Sequence, residues 1–517
     1  MLISEFLSKK DLIKIVPEFV EEVFNIDRER VEEQLEPILK ILKDDIICFI
    51  EYPYVDKFYR DSYYTFFSKK HNSYNRNSIR ISFFIRELDV DSYFQTENSE
   101  IQKYFLGYIS LRPTAYRIIG HCLISPKALK ENNFVCCLVR KTVLVNGKKL
   151  SVDGFPYCSQ DNESITCSEA TIINLFEYFG NKYAEYSTIL PSQVAKILSR
   201  QSYQRQLPAQ GLPTENISYV LKKLGFGTVV YSSDVKKKSK DIYEPNEFKD
   251  LLYMYIESGI PIIATLSTKE SHHAVLVIGR EAITEDINYS KRSLLKFRKN
   301  QYDFSVAFNK LLVMNDNHSP YEMIDYDEPI FDSEAQTFYQ FKSFIIPLYS
   351  KVYLDAYQFK QFFHIVIENL KSDPETEHII FKNDSEENVY RFFLTSSKSY
   401  KDYLSSSYTI SNEFKSITID KAMPKFIWVG EVIKGNSISR KQEVQSIVVV
   451  DATESGLSGH LIFATNSRFL IIKNNDIFDT NNKQDSLVKR YHIFDFGKEM
   501  FYTFANNLKG DHTEWQS

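Results

Sequence analysis

The stretch from Ile165 to Gly180, ITCSEATIINLFEYFG, decides the fold that the sequence predicts. After Cys167 and two polar residues the stretch is strongly apolar, and it stops at Gly180, a residue that often ends helices. The pattern predicts a buried helix that begins at or near Cys167 and ends near Gly180. Free N–H groups and the helix dipole at a helix N-terminus favour a thiolate. Cys167 is therefore a candidate nucleophile.

A glutamine lies upstream of this helix. Gln160 follows the run Phe155–Ser159 and precedes Cys167 by a short polar segment. A thiolate that attacks a carbonyl needs donors for the oxyanion that forms, and the amide of Gln160 can supply one beside the N–H of Cys167. Two structural interpretations stay open. Cys167 can be a small buried residue that starts a core helix, and Gln160 can be a surface residue.

A histidine opens a predicted strand further along the chain. Ile260–Leu266 is predicted as a strand, and after a short loop Ala274–Gly279 is predicted as the next. A histidine at the start of a strand can project from a rigid scaffold into a cleft, as the base for a distant cysteine must. His273 leads directly into the second strand and is preferred to His272 as the general base.

Polar side chains end a third strand. Lys310–Met314 is predicted as a strand, and Asn315, Asp316 and Asn317 follow it. A carboxylate or an amide at this place can accept a hydrogen bond from the imidazole and fix its tautomer. Alternation along the strand favours Asp316 for this role and leaves Asn315 as the second choice.

Changes of texture along the chain predict three domains. Residues 1–152 are predicted as an α+β domain that begins with two amphipathic helices over residues 11–44. Residues 153–347 begin with helices and continue with strands. Residues 348–517 mix helix and strand again and are predicted as a C-terminal α+β domain.

The chain order of four residues resembles the papain-like cysteine peptidase superfamily, and most closely its bacteriocin-leader-processing, double-glycine branch. These are Gln160, Cys167 before Ser-Glu-Ala, His273 before Ala-Val-Leu-Val-Ile-Gly, and Asp316 at a strand end. The resemblance covers about residues 153–321, and the flanking segments resemble no family. Ser168 stands where the superfamily often has a glycine.

The resemblance implies a role for each residue. Cys167 would be the nucleophile and His273 the general base and acid. Asp316 would orient the histidine, and Gln160 would donate to the oxyanion. The implied fold class is α+β, with a papain-like core in which the helix that carries the cysteine packs on an antiparallel sheet. The N- and C-terminal α+β domains would flank this core.

Composition excludes several other classes of protein. The 517 residues are 43% hydrophobic and carry a net charge of −5, which indicates a globular protein without a nucleic acid or an anionic membrane as partner. The apolar runs are too short to span a bilayer, and residues 1–10 lack a signal-peptide pattern. Six cysteines without CxxC spacing predict a reduced, cytoplasmic chain. Neither metal-ligand spacing nor a phosphate-binding motif occurs, so no metal and no cofactor are expected.

The sequence thus favours a thiol-dependent enzyme that cleaves a peptide or carboxamide bond, with a protein or peptide as substrate. A cysteine peptidase, a deamidase and a transglutaminase-like enzyme all pass through a thioester, so the residues do not separate these activities. The alternative from another class is a non-catalytic binding or structural protein that retains a papain-like fold. The sequence predicts no oligomeric state.

Overall fold

The computed structural model describes residues 3–86, 88–114, 116–201, 206–209, 211–233, 245–283, 287–288, 301–372, 388–434, 437–438, 442–454, 461–465, 468–472, 491–495 and 501–510. These residues form a mixed α+β structure, so the predicted fold class is confirmed at this level. Their α-helices are α1 (Lys9–Phe24), α2 (Arg28–Ile41), α3 (Lys57–Thr65), α4 (Val90–Gln95), α5 (Asn98–Tyr104), α6 (Cys167–Lys182), α7 (Pro191–Leu198), α8 (Thr214–Lys223), α9 (Pro245–Glu257), α10 (Ala356–Ser372), α11 (Ser397–Ser406) and α12 (Asn412–Asp420).

The strands of the described residues lie mostly in three sheets, whose pairings are antiparallel except that β13 and β19 are parallel. They are β1 (Ile3–Ser8), β2 (Ile47–Tyr54), β3 (Ser78–Phe84), β4 (Phe105–Leu111), β5 (Ile119–Ile124), β6 (Phe134–Cys136), β7 (Val139–Val145), β8 (Lys148–Tyr157), β9 (Phe226–Ser232), β10 (Ile262–Ser267), β11 (His272–Glu281), β12 (Ile287–Asn288), β13 (Gln301–Asp303), β14 (Lys310–Met314), β15 (Glu322–Asp325), β16 (Phe331–Asp332), β17 (Thr337–Phe338), β18 (Gln340–Tyr349), β19 (Asn388–Ser396), β20 (Phe426–Lys434), β21 (Ser437–Ile438), β22 (Glu443–Asp451), β23 (Leu461–Thr465), β24 (Arg468–Ile472), β25 (Tyr491–Asp495), β26 (Phe501–Tyr502) and β27 (Lys509–Gly510).

The first sheet, here called the N-terminal sheet, has the order β1-β2-β3-β4-β5-β8-β7. The two helices predicted over residues 11–44 precede its second strand and are confirmed as α1 and α2. Asn25 ends α1 in the left-handed conformation, with φ 54°. Asp27 then caps α2, because its carboxylate accepts a hydrogen bond of 2.9 Å from the N–H of Glu29.

The second sheet, here called the central sheet, has the order β15-β14-β11-β10-β18-β9 and is extended by β6 and β27. The predicted strand Lys310–Met314 is confirmed as β14 with the same bounds. The predicted strands over residues 260–266 and 274–279 are confirmed as β10 and β11. The third sheet, here called the C-terminal sheet, has the order β13-β19-β20-β22-β23-β24-β25, and β26 pairs with β22.

Helix α6 lies in the interior, where it contacts β7 and β8 of the N-terminal sheet and β11 of the central sheet. The residues from Ser168 to Phe179 are all buried, including the polar side chains of Glu169, Asn174 and Glu177. The helix ends at Lys182, two residues past Gly180, so the predicted end near Gly180 is confirmed to within two residues. A Cβ on Gly180 would lie 2.6 Å from the nitrogen of Thr188. Glycine therefore serves close packing here rather than helix termination.

The predicted domain boundaries fall inside strands. Strand β8 continues through residue 152, and β18 continues through residue 347. The central sheet also takes β6 from the first segment and β27 from the last. One apolar core contains both Val20 and Leu276, and another contains both Val275 and Trp428. The three segments therefore share sheets and cores.

Within the described part of the chain, no helix is both long enough and apolar enough to cross a membrane.

Candidate active site

Cys167 is the first residue of α6. Thr166 precedes the helix in an extended conformation, and the N–H of Thr166 donates a hydrogen bond of 3.1 Å to the carboxylate of Glu169. This is the capping arrangement that the pattern Thr-x-x-Glu favours at a helix start. The cap fixes where the helix begins, and it thereby fixes the thiol beside the free N–H groups of the first turn.

The thiol of Cys167 differs from the other thiols of the chain in its exposure. Cys167 is half-buried, whereas the other five cysteines are buried, and all six are free. The pKa of Cys167 is raised to about 11, mainly by burial and then by the charge of Asp316, while the backbone N–H of Ala274 acts to lower it. The thiol is therefore protonated at neutral pH in this state, and a base is needed to activate it.

The candidate base lies on β11, the strand that contacts the start of α6. His273 is 9% exposed and its neighbour His272 is exposed to solvent. Adjacent residues of a strand point to opposite faces, which explains the contrast. Of the two histidines weighed in the sequence, His273 is the one that faces the interior. Its neighbour Ala274 is the residue whose N–H lies near the thiol.

The imidazole of His273 is held by the segment that follows β14. Its Nε2 lies 2.9 Å from Oδ1 of Asn315 and 3.8 Å from Oδ1 of Asp316. The sequence favoured Asp316, because alternation along the strand placed Asn315 on the opposite face. The strand ends at Met314, so the alternation does not extend to these residues. The hydrogen bond goes to Asn315, and Asp316 lies at ion-pair distance.

Asp316 is a buried carboxylate, 2% exposed. Neither of its oxygens has a hydrogen-bond partner among the described residues. Burial raises the pKa of Asp316, and the neighbouring His273 lowers it by a smaller amount. Its ionised form acts on its surroundings through its charge, which lies near both the thiol and the imidazole.

Gln160 lies just after β8, and its side chain reaches the same segment. Its Nε2 donates a hydrogen bond to Oδ1 of Asn317. The N–H of Asn317 in turn donates to Oδ1 of Asn315 over 3.2 Å. Gln160 and His273 are thus connected through Asn317 and Asn315. Cys167 joins the same cluster through Asp316 and Ala274.

The backbone of Gln160 is fixed from the N-terminal sheet. Arg112 is 3% exposed, and its Nη2 donates to the carbonyl oxygens of Ser159 over 2.7 Å and of Gln160 over 2.9 Å. Neither Arg112 nor Asn317 was identified from the sequence as part of the site. No sequence pattern indicated Arg112, because it lies far upstream of Gln160 in the chain. Asn317 directly follows Asn315 and Asp316, and three consecutive polar residues after a buried strand were the available signal.

A loop and a tyrosine lie beside this cluster. Oγ of Ser168 lies 3.4 Å from both the N–H and the carbonyl oxygen of Leu212, so the segment before α8 lies next to the residue after Cys167. The ring of Tyr339 is 6.2 Å from the ring of His273. Its hydroxyl oxygen is 2.9 Å from Oγ of Ser271. Leu212 thus lies beside the residue that follows Cys167, and Tyr339 lies beside His273.

The described residues contain no group of three or more histidine, cysteine or acidic side chains that could hold a metal ion. The arrangement in the described site is therefore that of a thiol, an imidazole and amide donors. No protein-family model matches this chain, and none of the curated proteins compared with it matches either. The resemblance to papain-like peptidases stays a prediction.

Proposed function

We propose that this chain is a cysteine peptidase of the papain-like type, which hydrolyses a peptide or carboxamide bond through a thioester. The observation that carries the proposal is a half-buried thiol at the start of α6, next to the strand whose His273 is hydrogen-bonded to Asn315. A helix N-terminus, a base and a group that orients the base are the requirements of thiol catalysis.

In the proposed reaction, Nδ1 of His273 takes the proton of Cys167, because Nε2 is engaged by Asn315. The thiolate attacks the carbonyl carbon, and the electron pair of the C=O bond moves to the oxygen. Collapse of this intermediate breaks the C–N bond, and the imidazolium of His273 protonates the leaving amine. His273 then removes a proton from water, which attacks the thioester and releases the acid and the free thiol.

The oxyanion of the intermediate would be bound by the N–H of Cys167 and by Gln160. The amide nitrogen of Gln160 carries two hydrogens, and one of them is used by Asn317. The second hydrogen is left for the substrate oxygen. Arg112 and Asn317 hold the backbone and the side chain of Gln160, so its donor would be positioned before the substrate binds.

Water and amines compete for a thioester, so a deamidase or a transglutaminase-like enzyme would use the same residues.

A specific observation favours a non-catalytic protein as the second candidate function. Burial raises the pKa of Cys167 to about 11, and a thiol that stays protonated in the complex would bind a partner without reacting. The substrate or partner in either case would be a protein or peptide. The six free cysteines support a reducing, cytoplasmic compartment.

The proposal is tested by alkylation and by activity. Native protein is treated with iodoacetamide at pH 7.5, the modified cysteines are identified by peptide mapping, and hydrolysis of a mixed-sequence quenched-fluorescent peptide set is measured. Cys167 should be alkylated at least about tenfold faster than the five buried cysteines, because thiolate reactivity follows exposure and the helix start. Cys167→Ala should abolish hydrolysis.

Cys158→Ala is the matched control, since Cys158 is 4% exposed and lies close to the same cluster. We expect it to retain hydrolysis. Equal loss of activity in both variants would show that the nucleophile is misassigned. Alkylation of Cys167 only after the protein unfolds would exclude the enzyme.

A further inference from the structure

The orientation of the Asn315 amide is set by the residues around it. Its Nδ2 lies 2.9 Å from Oε2 of Glu322, the first residue of β15. Its Oδ1 lies 2.9 Å from Nε2 of His273 and 3.2 Å from the nitrogen of Asn317. Glu322 pairs with Val313 in the sheet, so its position relative to the end of β14 is fixed by strand register.

These contacts allow only one direction of hydrogen bonding. A carboxylate accepts hydrogen bonds and does not donate them, so the NH₂ group of Asn315 must face Glu322. The N–H of Asn317 can only donate, so the carbonyl oxygen of Asn315 must lie on the opposite side. Both neighbours thus favour the same amide orientation, and the charge-assisted contact with Glu322, at 2.9 Å, is a stronger constraint than the 3.2 Å contact with Asn317. An amide oxygen that faces His273 can only accept, so Nε2 of His273 must carry the hydrogen.

A second histidine holds Glu322 in place. Nδ1 of His318 lies 2.7 Å from Oε1 of Glu322 and 3.0 Å from Nδ2 of Asn315. One ring nitrogen cannot donate to the carboxylate and accept from the amide at once, and the carboxylate is the stronger acceptor. The hydrogen of Nδ1 is therefore assigned to Glu322. His318 then uses one oxygen of Glu322 and leaves the other for Asn315.

We propose that Glu322 is a positioning residue, which acts through Asn315 to keep His273 in the Nε2–H tautomer. This tautomer places the basic lone pair on Nδ1, the nitrogen left for the thiol. The proposal for Glu322 rests on the proposed function in one respect, namely that this lone pair accepts the proton of Cys167. The chain of contacts itself, from Glu322 through Asn315 to His273, is independent of any reaction.

Asp316 cannot set the tautomer in the same way. Its nearer oxygen is 3.8 Å from Nε2 of His273, beyond hydrogen-bond distance, and neither oxygen has a hydrogen-bond partner among the described residues. The charge of Asp316 acts on the imidazole as a whole. Selection between the two ring nitrogens requires a directional acceptor, and Asn315 supplies it.

The test reads the tautomer directly. The full chain is labelled with ¹⁵N-histidine, and the ring nitrogens of His273 are assigned by comparison with His273→Gln. In the native protein Nε2 should carry the hydrogen at pH 8. In Glu322→Met, which fills similar space without an acceptor, the Nδ1–H form should become substantially populated. A native protein with hydrogen on Nδ1, or a Met variant with the native tautomer, would overturn the proposal.

Two further variants separate positioning from packing. Glu322→Gln retains an acceptor oxygen for Asn315 and should keep the Nε2–H form. Asp325→Asn alters another carboxylate of the same strand, one that accepts from Asn309, and should leave His273 unchanged. Glu322 and His318 line a cavity of about 950 Å³, so substitutions have room there.

The rate measurement distinguishes failure of this inference from failure of the proposed function. If the protein hydrolyses peptides, Glu322→Met should lower kcat/KM by about 10–100-fold with KM little changed, and Glu322→Gln should recover most of the loss. If no hydrolysis is detected, the proposed function fails while the tautomer measurement still decides the role of Glu322. A KM effect without a kcat effect would contradict positioning of the base.

Discussion

The carboxylate of Asp316 is buried beside the two groups that would exchange a proton. Its charge raises the pKa of Cys167, after the larger effect of burial. The same carboxylate lies 3.8 Å from Nε2 of His273. Asp316 therefore opposes the loss of the proton from the thiol of Cys167. This is an electrostatic role, separate from the hydrogen bond that Asn315 makes.

We expect Asp316→Asn to stabilise the folded protein at pH 8 by about 1–3 kcal/mol, because it removes the charge of a buried carboxylate whose oxygens have no hydrogen-bond partner among the described residues. Burial raises the pKa of Asp316 above its ordinary value of 3.8, so the folded state binds the proton more tightly than the unfolded chain. The native protein therefore loses stability as the pH rises above 3.8 toward the raised pKa. The difference between variant and native protein should narrow as the pH is lowered.

Urea unfolding at pH 8 and pH 5 measures this difference. Asp327→Asn, at an exposed position, is the matched control and should change the free energy of unfolding by less than about 0.5 kcal/mol at both pH values. A variant that is less stable than the native protein at pH 8 would show that Asp316 has a compensating partner.

Some residues of the candidate site were predictable from the sequence, whereas several of the contacts between them were not. Cys167 and His273 stand out because each begins an apolar element, and this pattern is visible in the chain. The choice between Asn315 and Asp316 depends on where β14 ends, and a shift of one residue reverses it. Glu322 was not identified, because its contact with Asn315 depends on the pairing of β14 with β15.

The start of α6 is the element on which the thiol depends. Glu169 accepts from the N–H of Thr166 and is itself buried, so burial raises its pKa while the hydroxyl of Thr166 lowers it. Its charge contributes a small increase in the pKa of Cys167. The cap therefore stabilises the helix and opposes the thiolate at the same time. The apolar run after Cys167 predicted both ends of this helix to within two residues, although Gly180 also permits close packing against Thr188.

We expect Glu169→Gln to shift the pH profile of Cys167 alkylation to lower pH and to increase the rate at pH 8 by about two- to fivefold. The glutamine oxygen can still accept from Thr166, so stability should change little. Glu169→Ala removes the acceptor and should cost about 1 kcal/mol in the free energy of unfolding. Glu185→Gln, an exposed partner of Lys425, is the control for charge alone. A shift to higher pH in Glu169→Gln would contradict this account.

At the scale of the whole molecule, buried ion pairs connect the central and C-terminal sheets. Glu257 at the end of α9 lies 2.5 Å from Arg280 on β11 and 2.7 Å from Arg391 on β19. Arg391 also pairs with Glu431 over 2.7 Å. Burial raises the pKa of Glu257, but Arg280 and Arg391 outweigh it and hold the pKa below its usual value. Division of the chain at residue 347 would separate these partners, a relation that residue patterns along the chain do not contain.

We expect Arg391→Met to lower the free energy of unfolding of the full chain by roughly 3–5 kcal/mol, because it leaves Glu257 and Glu431 buried with fewer partners. Urea unfolding is monitored in two ways, by circular dichroism and by alkylation of the buried Cys158, which lies in another segment. If the segments unfold as one unit, the urea midpoints from the two probes should shift together. Arg140→Met removes an ion pair of 2.7 Å whose arginine is 69% exposed, and should cost about 0–1 kcal/mol. Separate midpoints for the two probes in Arg391→Met would show instead that the C-terminal sheet unfolds independently of the candidate active site.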